Sequence, residues 1–177
     1  FKFGDGERVI AALSLDPRVS RPKNLVLLAV TRRGLVFRFS ADPFREVTTR
    51  AGRRYARPAK GDEVAHVFVC METDLVALAS EKGRAILFPA PEVPELAGPG
   101  KGVLGFKLAP DDKLVGAALF GEDEKRATLT LVNGKGTEHT ITKRYTPVSR
   151  GGKGFELIKR DRFVKALPPE IELIPFG

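Results

Sequence analysis

Apolar residues in this chain gather in short, β-prone runs, and no run keeps a helical period over successive turns, so no long helix is predicted. "NLVLLAV" (24–30) leads through "TRRG" to "LVFRFS" (35–40). "DLVALAS" (74–80) leads through "EKG" to "RAILFP" (84–89), and "ATLTLV" (127–132) leads through "NGKG" to "TEHTIT" (137–142). Each pair predicts two strands around a tight turn ending in Gly34, Gly83 or Gly136, spaced 49 and 53 residues apart. Glycine supplies the positive φ that such hairpin turns require, so it recurs for a backbone reason.

A Gly/Pro/Arg-rich loop follows each hairpin, and then a further apolar run introduced by acid. "GDEVAHVFVC" (61–70), "DDKLVGAALF" (111–120) and "DRFVKAL" (161–167) occupy matching places, with Val64, Val115 and Val164 marking the phase. "GDGERVIAALSL" (4–15) is predicted to be a fourth returning strand, without a hairpin of its own before it. The unit is therefore about 50 residues of hairpin, long loop and returning strand. The predicted organisation is one all-β, propeller-like domain of three to four blades over 1–177. The end of a partial blade at 1–17 precedes repeats at 18–70, 71–120 and 121–177.

Composition narrows the class. A chain of 177 residues with 42% hydrophobic and 29% charged content is long enough and mixed enough to bury a core. The longest apolar runs, such as "LVLLAV" (25–30), are too short to cross a bilayer, so no membrane partner is expected. No signal peptide opens the sequence, and a first residue of Phe suggests a piece of a longer polypeptide. The single cysteine, Cys70, rules out an internal disulfide, and a cytoplasmic location is the expectation.

Net charge is +8, and it is segregated. Residues 18–57 carry a balance of +9, residues 61–123 one of −6, and residues 124–177 one of +5. Basic faces beside an acidic sector suit a polyanion that follows a defined path. A second possibility is a protein-interaction propeller that docks a basic partner or subunit through the acidic sector.

Two glycine-clamped lysines, in "GPGKG" (98–102) and "RGGKG" (150–154), invite a nucleotide-loop reading, which fails. A phosphate loop needs Lys followed by Ser or Thr at the start of a helix, and Lys101, Lys135 and Lys153 are each followed by glycine. The two strings recur because the chain recurs, and "AGRRYAR" (51–57) fills the same loop in the first repeat. Consecutive amides in such bends are expected to form anion nests beside a cation. The candidate phosphate contacts are Arg32, Arg33, Lys82, Arg84 and Lys135 at the hairpins, and Arg50, Arg53, Arg54, Arg57 and Lys101 in the loops. Lys143, Arg144, Arg150, Gly151, Gly152, Lys153 and Gly154 complete the set in the last repeat.

No catalytic constellation is visible. His66, His139 and Cys70 do not form a zinc ligand set, and the acid pairs Asp62–Glu63 and Asp111–Asp112 point to opposite faces of a strand. The expectation is a non-enzymatic segment with no cofactor and no metal.

The repeat of about 50 residues, the "RGGKG" loop before a strand and the "GDGERVIAAL" type of strand resemble the C-terminal domain of the A subunit of bacterial type IIA topoisomerases. That family comprises the A subunit of DNA gyrase and its topoisomerase IV counterpart, and the resemblance spans essentially the whole chain. It implies a β-pinwheel, a disc whose blades exchange strands, carrying double-stranded DNA around a basic rim largely without regard to sequence. It also implies two protein partners, the ATPase subunit together with the remainder of the A subunit, in a nucleoid-associated location. The family's DNA-cleaving tyrosine lies in another domain, so Tyr55 and Tyr145 are not candidates. Gyrase members carry a box of the form Q-R-R-G-G-[KR]-G. "VSRGGKG" (148–154) has Val148 and Ser149 where Gln and Arg would stand, and it falls in the last repeat instead of the first. That departure, with fewer repeats than gyrase, favours topoisomerase IV-like bending or a divergent variant over full wrapping.

Overall fold

The computed structural model describes residues 4–14, 24–46, 48, 52–122 and 127–168. Within them the strands are, in order, β1 (Val26–Thr31), β2 (Leu35–Ser40), β3 (Val64–Val69), β4 (Leu75–Ser80), β5 (Arg84–Pro89) and β6 (Val103–Leu104). There follow β7 (Leu114–Phe120), β8 (Thr128–Asn133), β9 (Glu138–Thr142), β10 (Phe155–Glu156) and β11 (Phe163–Ala166). Two single turns of 3-10 helix, at Asp42–Phe44 and Ala90–Glu92, are the only helical pieces among the described residues.

Three antiparallel sheets result, in the orders β3-β1-β2-β6, β10-β5-β4-β7 and β11-β8-β9. The outermost strands β6 and β10 do not belong to the hairpins they complete. Each comes from the glycine loop of the following repeat, so a repeat lends a two-residue strand to the sheet before it. The hairpin glycines make the exchange possible. The Gly34 carbonyl accepts hydrogen bonds from the N–H groups of Gly105 and Phe106 at 2.9 and 3.0 Å, and that of Gly83 accepts from Leu157 and Ile158 at 2.8 and 3.3 Å. At φ +79 and +83, with Phe106 O and Ile158 O lying 2.6 and 2.8 Å from where a Cβ would stand, neither position admits a side chain.

The acid before each returning strand is a structural cap. Asp62 Oδ1 accepts from the amides of Arg33 (3.1 Å) and Glu63 (2.8 Å), and Asp112 Oδ1 accepts from Lys82 (3.1 Å) and Lys113 (2.9 Å). Asp161 Oδ1 accepts from Arg162 at 2.7 Å. A short carboxylate side chain thus closes a turn on its own backbone, and the first two also fasten the hairpin tip. The cross-strand pairs Thr31↔Val64, Ser80↔Leu114 and Asn133↔Phe163 make Val64, Leu114 and Phe163 the equivalent residues. The valine phase of the sequence reading is therefore off by one after Val64. On a strand one residue exchanges faces: Leu114 and Phe163 are buried, whereas Val164 is 62% exposed.

Packing lies between the sheets. Leu28, Val30 and Val36 of the first meet Val76, Leu78, Ile86 and Phe88 of the second, with Phe106 and Leu114 between them. The opposite face of the second sheet, through Ala77, Ala79, Ala85 and Leu87, meets Leu129, Leu131 and Ile141 of the third. Residues 4–14, expected to form a returning strand, carry none. A returning strand pairs with the first strand of its own hairpin, as β3 does with β1. No described strand pairs with residues 4–14.

Candidate nucleic-acid interface

The three glycine loops lie side by side, bonded edge to edge. Arg57 N–H donates to Gly100 O at 2.8 Å, and one repeat later Lys107 N–H donates to Gly152 O at 2.9 Å. Gly151 N–H also donates to Gly105 O at 2.7 Å. The recurring bond fixes the equivalence of the loops, which aligns Gly52 with Gly102 and Gly154, all at positive φ. A Cβ on Gly102 would lie 2.7 Å from Val36 O, and one on Gly154 only 1.9 Å from Ala85 O. These glycines bring the donated strand against the edge of the preceding sheet. Within the bends expected to cradle an anion, the Gly151 amide instead donates to the Gly105 carbonyl across the seam.

The same equivalence reveals a row of cations that sequence reading catches only in part. Arg57, Lys107 and Lys159 stand at matching places, 50 and 52 residues apart, and all three are exposed. Lys107 and Lys159 escape a reading that measures from the nearest Gly-Lys-Gly string. Measuring from the glycine that seats the donated strand finds them.

The predicted contacts divide into two groups. Arg33, Arg54, Arg57, Lys101, Lys135, Arg144 and Lys153 are exposed, and their side chains form no hydrogen bond or ion pair with described residues. Arg53 is exposed too, with one N–H donating to Pro43 O at 2.7 Å. The others are engaged in the fold. Arg84 donates to Lys153 O and Gly154 O, both at 2.8 Å, and Arg150 donates to Glu92 O at 2.6 Å and Leu104 O at 2.9 Å. Each arginine clips one repeat to the next through backbone carbonyls, with its fork of donors spanning two acceptors. Arg32 is paired with Glu63 at 3.0 Å, Lys82 with Asp111, and Lys143 donates to Gly121 O and Glu122 O. Gly151, Gly152 and Gly154 lie in the seam, and Arg50 lies outside the described residues.

The acidic sector is largely engaged from within. Glu63 holds both Arg8 (2.9 Å) and Arg32, whose hydrogen bonds keep its carboxyl below the ordinary carboxylate value. The Lys82 hydrogen bond does the same for Asp111. Glu72 pairs with the buried Arg38, and Glu92 accepts the Arg150 amide at 2.9 Å. With the caps Asp62 and Asp112, these acids lie at or beside the joints between strands.

His66 is held below its ordinary value, chiefly by burial and then by the charge of Arg32. Burial, reinforced by the charge of Asp74, pushes the Cys70 thiol up to about 12, so it is a packing residue. Among the described residues no group of three His, Cys, Asp or Glu side chains could hold a metal ion, and no helix is long and apolar enough to cross a membrane.

Comparison with known proteins agrees with this topology. Residues 26–71 and 74–120 match the family model "DNA gyrase C-terminal domain, beta-propeller", each span covering one hairpin, its loop and its returning strand. The A subunit of DNA gyrase from Helicobacter pylori is 33% identical over 149 residues, which is 84% of this chain and 17% of that protein. The crystal structure of the C-terminal domain of DNA topoisomerase IV superposes with a TM-score of 0.81 at 18% identity, over 95% of this chain and 52% of the other. The DNA gyrase A C-terminal domain gives 0.67 at 22% identity, over 84% and 50%. The chain thus spans about half of each solved domain and a far smaller part of the curated relative.

Proposed function

Because this chain belongs to the DNA gyrase C-terminal domain family, we propose that it is a non-catalytic DNA-binding module that bends duplex DNA along its loop rim for a type II topoisomerase. The row Arg57, Lys107 and Lys159, carried on loops bonded edge to edge and flanked by Lys101 and Lys153, supports the reading most directly. Cations at matching places on loops bonded edge to edge offer a duplex a series of positive positions. Each neutralised phosphate releases counterions, giving an affinity that is independent of base sequence and steep in salt. ATP hydrolysis and cleavage fall to the ATPase subunit with the remainder of the A subunit, and this segment shapes the DNA handed to them.

Ligation-mediated circularisation of short duplexes tests bending, and a salt titration tests the contacts. The triple replacement Arg57→Ala, Lys107→Ala and Lys159→Ala is expected to lower the log–log salt slope by about 3 and to abolish enhanced circularisation. Affinity that holds at several-fold higher salt, or a triple variant that still circularises DNA, would overturn the reading.

A further inference from the structure

Exposure along each donated segment recurs at every third residue. In the second repeat Lys101, Leu104 and Lys107 are exposed, while Gly102, Val103, Gly105 and Phe106 between them are half-buried or buried. In the third, Lys153, Glu156 and Lys159 are exposed, and the four residues between them are half-buried. In the first, Arg54 and Arg57 hold the matching central and outer places. The outer places are cationic wherever they are described, but the central place is arginine, then leucine, then glutamate. Leu104 is thus an apolar side chain, 39% exposed, standing between two lysines in the middle of the rim. Its backbone is pinned on every side. Leu104 pairs with Leu35, its carbonyl accepts from the Arg150 guanidinium at 2.9 Å, and the next two amides donate to Gly34 O. Leu104 Cδ2 also rests against Gly151, 3.8 Å from where a Cβ would stand.

We propose that Leu104 is a wedge that enters the minor groove and partly unstacks one base step, kinking the duplex; the inference rests on the DNA-binding reading above. The spacing suits this role. Three residues of chain span no more than about 10 Å, so Lys101 and Lys107 can reach phosphates on opposite sides of a groove roughly 6 Å wide while Leu104 faces its floor. A leucine offers phosphate and water no hydrogen bond, and it gains by moving from water into the gap between two base pairs. The matching arginine of the first repeat suits a phosphate instead, and phosphates repel Glu156, which assigns the kink to the middle repeat. Kinking is easiest at pyrimidine–purine steps, so Leu104 adds a preference for such steps to binding otherwise indifferent to sequence.

The test is a short duplex with a single TA step whose adenine is replaced by 2-aminopurine, a base that brightens on unstacking, with a salt titration of the same complex. The wild-type chain should brighten the probe at the TA step and leave it dark inside a purine run. Leu104→Ala should abolish that signal and lower circularisation roughly three- to tenfold, with the salt slope unchanged because no phosphate contact is lost. Leu104→Met, which keeps an apolar wedge, should retain the signal. Leu104→Lys should lose it while steepening the slope by about 1. Circular dichroism establishes that each variant is folded. A wild-type complex with a steep salt slope but a dark probe, or a Leu104→Ala complex that still brightens it, overturns the wedge and leaves the DNA-binding reading standing. A chain that binds no duplex overturns both.

Discussion

The first and third sheets are built from the same repeat, yet their outward faces have opposite chemistry. On the first, Ala29, Phe37 and Phe39 cluster with Leu27, Val67, Phe44, Tyr55 and Leu96. Phe39 stacks on Tyr55 at 5.2 Å, and Phe44 meets Phe39 edge-on at 5.8 Å. On the third, the register sets Thr128 against Thr142 and Thr130 against Thr140, with the latter hydroxyls 3.3 Å apart. A threonine face can meet water, whereas the aromatic face needs cover. Residues 8–13 and the loop bearing Tyr55 supply part of it, and they line an open groove of about 420 Å³. The repeat period dictates how sheets join.

The largest expected effect comes from the joint between the first and second sheets. Phe106, fully buried between the first and second sheets, should cost about 3–5 kcal/mol on replacement by alanine. Thr130→Val on the outer face should change stability by less than about 0.5 kcal/mol in the same urea titration. A Phe106→Ala chain as stable as wild type would mean the sheets do not share one core. Next come the seam glycines. Gly154→Ala forces a Cβ against Ala85 O and should cost roughly 2–3 kcal/mol, while Gly136→Ala meets only its own positive φ and should cost about 1 kcal/mol. Equal costs would show that the turn, not the donated strand, governs these positions. The smallest effect is a pH dependence confined to the first sheet. His66 lies below its ordinary 6.5 in the folded chain, so the unfolded chain binds its proton more readily. Stability is therefore complete above pH 6.5 and declines as pH falls from there toward the folded value. His66→Gln should flatten that part of the pH profile, and a profile left unchanged would assign the decline to other groups.

The hairpins were legible because each declares itself locally. β2 and β5 coincide with the runs quoted from the sequence, and β1, β4, β8 and β9 differ from theirs by one or two residues. The donated strands β6 and β10 were not legible, since two residues hold no periodicity and their pairing partners lie in another repeat. The same distance hid the structural use of Arg84 and Arg150. Their acceptors are carbonyls 69 and 46 residues away, and a carbonyl leaves no mark in a sequence. Residues 4–14 erred in the other direction: the motif matched, yet no described strand pairs with them. Within the candidate interface, the charge of the loops was readable, but which cations remain free depended on carboxylates and carbonyls brought in by neighbours.

The lending of β6 and β10 backwards along the chain has a consequence for how such a protein can be cut or recombined. A break placed between hairpins, at the boundary that the repeat suggests, would strip an edge strand from the piece that is kept. The heritable brick is staggered, running from one seating glycine to the next, and a recombination event that respects hairpins would leave two mismatched ends. Duplication or loss of units should therefore carry its crossovers inside the glycine loops, where the joint travels with both of its halves.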